Sequence, residues 1–174
     1  MTNLRYLPLC LALAACAASA ACGTTEADNP RLEIGAGGFT LHLPPAMLES
    51  LNLLAPGFQQ VRSASFRSDV AQAAAEGGGA LQALFAVVGD FDGDGTIDAA
   101  IEGSAAGDTS LVVIAILNKG AKPVAMEVTR FPTYDADAVG IYLSKPAGSG
   151  AFQVVNYPDA TTTYVYRTGK FQTQ

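Results

Sequence analysis

Beyond residue 38 the chain is a succession of short apolar runs separated by glycine, proline and aspartate. Residues 39–43 alternate apolar and polar side chains and predict a short strand. Pro44 and Pro45 open a predicted helix over 46–54, with Met47, Leu48, Leu51 and Leu54 at helical spacing, and Pro56 and Gly57 stop it. A second helix, capped by Ser68, is expected to run to Glu76 and to end at Gly77, Gly78 and Gly79. From residue 80 the period changes. Strands are predicted over 81–88, 96–102, 110–117, 124–131, 140–144, 152–157, 162–167 and 170–173, the last two joined by a hairpin at Thr168 and Gly169. The run over 110–117 is the most hydrophobic and predicts a central strand, and Val124, Met126 and Val128 are expected to share one face of the next. Strands at this spacing with little helix between them indicate an antiparallel meander. The expected fold class is α+β: short N-terminal helices packed on an antiparallel meander sheet of about six to eight strands.

The N-terminal end is of a different kind. Residues 1–22 carry one basic residue, Arg5, then an apolar run over 7–15 and a series of small residues, which is the pattern of an export signal. Leu13, Ala14, Ala15 and Cys16 together are similar to a bacterial lipobox, in which the lipidated cysteine becomes the new N-terminus. Cys22 is the alternative lipidation site, and Ala18-Ser19-Ala20 would also serve as an ordinary cleavage site. Cys10, Cys16 and Cys22 all lie in this leader, so the exported part is expected to have no internal disulfide. Residues 23–38 are polar and glycine-rich and are expected to form a flexible tether, leaving 39–174 as a single domain. Loss of Arg5 with the leader takes the formal net charge from −6 to near −7. That balance argues against nucleic acid and against electrostatic attachment to anionic lipid, so contact with the membrane would run through the N-terminal anchor. The expected location is the bacterial cell envelope as a lipoprotein, with a soluble periplasmic or secreted protein as the alternative.

Between two of the predicted strands lies Asp90-Phe91-Asp92-Gly93-Asp94-Gly95-Thr96-Ile97-Asp98. Counted as a cation loop, Asp90, Asp92 and Asp94 take ligand positions 1, 3 and 5, Gly95 the sharp turn at 6, the Thr96 carbonyl 7, and Asp98 9. An all-oxygen set from a short loop suits a hard cation with about 6–8 ligands, calcium before magnesium and far before zinc. A solvated aspartate-glycine turn is the plainer alternative. Against it stand the strict alternation of the acids and their mutual repulsion. The match to an EF-hand is incomplete, because Ile101 falls where the closing glutamate belongs and Glu102 comes one place late.

With its flanks included, the segment over about 85–117 resembles a VCBS/FG-GAP-type repeat. The residues that carry the resemblance are Val88-Gly89 and the aspartate loop, Ala99-Ala100-Ile101, and the apolar run over 111–117. It implies a calcium-binding loop joining two strands, with Asp90, Asp92, Asp94 and Asp98 supplying side-chain oxygens and Thr96 its carbonyl. In that family such units form propeller blades, and a propeller needs about 4–8 of them. This chain has one such loop, so the resemblance implies a single unit.

Other chemistry is sparse. His42 is the lone histidine, placed in a predicted strand, and no nucleophile elbow, metal-binding Cys/His cluster or phosphate loop is present in the sequence. Glu102 and Glu127, the strand-borne glutamates, are expected at the surface. Tyr157, Tyr164, Tyr166 and Phe171 are expected to pack across strands, an exposed patch for a partner or glycan being the alternative. The reading that follows is a non-enzymatic envelope module with one structural calcium ion, partnered by an envelope protein or a glycan. A hydrolase of cell-wall or polysaccharide material and an inhibitor or partner of another envelope protein are the alternatives.

Overall fold

The computed structural model describes residues 28–35, 38–76 and 83–174. The export signal, Cys16, Cys22 and the glycines expected to end the second helix lie outside the described residues. The described part is mostly antiparallel sheet with two helices. Strand β1 (Arg31–Gly35) pairs with β2 (Gly38–His42) as a hairpin, Leu32 opposite Leu41 and Ile34 opposite Phe39. The expected tether therefore ends short of residue 31. Leu32 and Ile34 alternate with Arg31 and Glu33, and the pairing supplies partners for a backbone that composition alone marked as solvated. Leu32, Phe39 and Leu41 lean on the main core.

Helix α1 (Pro45–Leu54) buries Met47 and Leu51, one turn apart, and leaves Leu48 and Leu54 substantially exposed. Ser50 fastens it: its hydroxyl donates to the Pro123 carbonyl (3.1 Å) and accepts from the Ala125 amide (2.9 Å). Helix α2 (Ser68–Glu76) buries Val70. Among the described residues no helix is long and apolar enough to cross a membrane.

The remaining strands divide between two larger sheets where the sequence suggested one meander. In the first, β5 (Asp98–Ser104) is flanked on one edge by β6 (Leu111–Leu117) and then β7 (Val124–Phe131). Its other edge carries two short strands end to end, β4 (Ala86–Gly89) along 98–101 and β3 (Gln59–Gln60) along 103–104. In the second, β8 (Ile141–Ser144), β9 (Ala151–Asn156), β10 (Ala160–Arg167) and β11 (Lys170–Thr173) follow chain order. The sheets meet where the Leu143 amide donates to the Leu84 carbonyl at 2.7 Å, and Phe85, Val87, Leu143, Phe152 and Val154 join one buried cluster. Covered on both faces, β6 is buried throughout, as its unbroken apolar run demands. The expected single face of β7 is broken by a bulge: Val113 pairs with Thr129 and Ile114 with Glu127, which leaves Val128 as the extra residue; Val124, at the start of the strand, is exposed.

Glu102 departs most from expectation. It is fully buried, with no hydrogen-bond partner on either carboxyl oxygen, whereas Glu127 is exposed and pairs with Arg130. It sits where β4 gives way to β3, its amide donating to Phe85 and its carbonyl accepting from Val61, with Val113 beside it on β6. A strand covered on both faces has no solvent side, so alternation cannot deliver the side chain to water. Burial pushes the Glu102 carboxyl well above its ordinary range, favouring the neutral acid.

The folded protein then holds a proton that the unfolded chain releases near pH 4.5. Stability must fall as pH rises from there towards the folded-state value. Glu102→Gln is expected to make that slope shallower and to be about 1–3 kcal/mol more stable than the unmutated chain at pH 8. Chemical denaturation at pH 5 and pH 8 checks this; parallel pH dependence in the two proteins would show that the carboxyl is not held neutral.

Candidate metal centre

The turn from β4 to β5 is built by its own carboxylates. Asp90 accepts from the amides of Gly93 (2.7 Å) and Gly95 (2.9 Å), Asp92 from Asp94 (3.2 Å), and Asp94 from Thr96 (2.9 Å). Gly93 and Gly95 take φ of 79° and 87°, a region that costs other residues energy, so the reversal needs glycine at both places. Asp98, fully buried at the start of β5, accepts from the Phe91 amide and the Asn118 amide, each at 2.8 Å.

Three of the expected ligands converge. One carboxylate oxygen from each of Asp90, Asp92 and Asp98 lies within 4.8 Å of the others, and two oxygens on opposite sides of an ion about 2.4 Å from each would be separated by that much. The trio can therefore reach a single ion. The donor set is hard and anionic; by itself it does not distinguish calcium from other hard cations. Asp94 stands apart from this group. Its carboxylate holds Thr96 on one oxygen and the Lys119 ammonium, 2.7 Å away, on the other. Thr96 faces Asn118 and Asp94 through its hydroxyl, 2.7 Å from the Asn118 carbonyl.

Lys119 and Asn118 belong to the turn after β6 and were absent from the sequence-based ligand set. The Lys119 ammonium contacts Asp92 Oδ2 as well as Asp94, and the Asp92 side chain is only 2% exposed. No directed hydrogen bond reaches that Asp92 oxygen; it is met as an ion pair. Asn118 extends the network outward, its side-chain amide donating to the Asp28 carbonyl at 2.9 Å. The signal for both residues lay in strand pairing: Ala99 opposite Ile116 places 118–119 beside the loop.

The charges respond to these surroundings. Burial pushes the Asp98 carboxyl up to about 6 despite its two backbone donors, and the negative charges of Asp92 and Asp94 add to that. Hydrogen bonding from Lys119, then from Thr96, holds Asp94 down at about 2. The two aspartates in turn raise the Lys119 ammonium, Asp92 most.

Phe91 anchors the loop to the second sheet. Its ring lies 5.2 Å from Phe152 and 6.4 Å from Phe171, and Phe152 and Phe171 continue to Tyr164 and Tyr166 at 5.8 and 5.3 Å. The C-terminal aromatics are thus partly buried in cross-strand pairs, Tyr164 opposite Phe152 and Tyr166 opposite Phe171. His42 lines a groove with Leu41, Leu48, Leu51 and Phe58, its Nε2 2.9 Å from Glu33.

Because Asp98 terminates two buried amides, Asp98→Ala should cost about 2 kcal/mol or more in urea denaturation without added metal. A loss below ~0.5 kcal/mol would mean that water replaces the carboxylate freely. Comparison with known proteins adds no assignment: no family model, curated protein or solved structure matches the chain.

Proposed function

We propose that this chain is an exported, lipid-anchored envelope module that binds one calcium ion structurally, between β4 and β5, and serves as an interaction domain. The observation that carries the reading is the convergence of Asp90, Asp92 and Asp98 within 4.8 Å. The resemblance of the loop and its flanks to a VCBS/FG-GAP unit supports calcium as the ion. Of the expected ligands, Asp90, Asp92 and Asp98 are the acids that converge, and Asp94 contacts Thr96 and Lys119.

An ion there would tie together structures that meet at the loop: β4, β5, the Asn118 turn and, through Phe91, the second sheet. The export pattern of residues 1–22 supports an extracytoplasmic setting, where modules bind calcium with dissociation constants on the order of 10⁻⁴–10⁻³ M.

Calorimetric titration of calcium into the full chain should show about one equivalent bound, much weaker binding of magnesium, and loss of both signals in Asp90→Asn combined with Asp92→Asn. At a tenfold excess of calcium over its dissociation constant the protein should gain about 1.4 kcal/mol of stability. Silence at several millimolar calcium in the unmutated chain would remove the ion from the reading.

A further inference from the structure

We propose that Lys119 is the loop's internal counter-cation, an ammonium that holds Asp92 and Asp94 until a divalent ion takes Asp92 from it. This rests on the calcium reading above and adds a regulating residue to that site. Asp92 is the residue that the two cation arrangements share. It belongs to the convergent trio with Asp90 and Asp98, and its buried Oδ2 is the atom that Lys119 contacts.

A carboxylate with a side chain 2% exposed needs a compensating positive charge. Lys119 supplies it from a turn 25 residues beyond Asp94, on a side chain that is 37% exposed. Such a side chain can swing into water without leaving a cavity, and its ammonium regains hydration when it does. A divalent ion among Asp90, Asp92 and Asp98 brings twice the charge to three carboxylates, while Lys119 keeps Asp94 as a partner. The exchange is therefore between a tethered monovalent cation and a free divalent one. The ammonium stabilises the ion-free loop and weakens the apparent affinity for calcium. It also disfavours monovalent ions, which would offer Asp92 no more charge than the lysine already does.

Calcium chloride is titrated calorimetrically into the full chain and into Lys119→Met, with melting of both followed in EDTA and in saturating calcium. The variant should bind calcium about tenfold more tightly and melt lower in EDTA, with the difference shrinking in calcium. Equal or weaker binding by the variant, beside normal binding by the unmutated chain, overturns the inference and leaves the calcium reading standing. Binding by the variant alone overturns the exchange, the lysine then being a block that no ion displaces. Absence of binding in both overturns inference and reading together. Should Lys119→Met fail to fold, the ammonium ¹⁵Nζ resonance of Lys119 in the unmutated chain decides: it must shift and exchange faster with solvent on calcium addition, and an unchanged signal overturns the proposal.

Discussion

Four carboxylates within nine residues repel one another, and the turn between β4 and β5 holds its shape because each is answered by a specific donor. Asp90 is answered by two glycine amides, Asp94 by Thr96 and Lys119, and Asp98 by the amides of Phe91 and Asn118. Asp92 is answered by one amide hydrogen bond and by the ammonium of Lys119, which is itself partly in solvent.

The compensation also explains why the loop is a junction. The donors that answer Asp98 come from opposite sides, Phe91 from within the loop and Asn118 from the end of β6. Phe91 carries its ring into the aromatic cluster of the second sheet, while Asn118 reaches back to Asp28 ahead of the β1–β2 hairpin. Changes in charge at the loop therefore bear on contacts with three other parts of the fold.

Glu102, on the same strand, shows the opposite treatment of a carboxyl. Asp98 is buried at a strand end, where unpaired amides can point at it; Glu102 lies mid-strand, where its own amide is committed to the Phe85 carbonyl, the Val61 amide to the Glu102 carbonyl and others to the β6 ladder. With no donor to spare, the inexpensive state is the protonated acid. The strand thus contains two acids raised by burial, one answered by two amides and the other by none.

Much of the secondary structure was legible in the sequence, because apolar periodicity, proline and glycine act within a few residues. The helices and most strand positions followed from them, and the aspartate spacing pointed to the turn that brings Asp90, Asp92 and Asp98 together. The hairpin at Arg31–Gly35, the split into two larger sheets, the bulge at Val128 and the burial of Glu102 were not legible, since each depends on which strand lies alongside. The same holds at the site. Local sequence determined an acidic loop turned by two glycines. Tertiary structure alone decided which carboxylates converge, and it placed Lys119 and Asn118 among them, because pairing of β5 with β6 brings residues twenty or more positions apart to the same strand end.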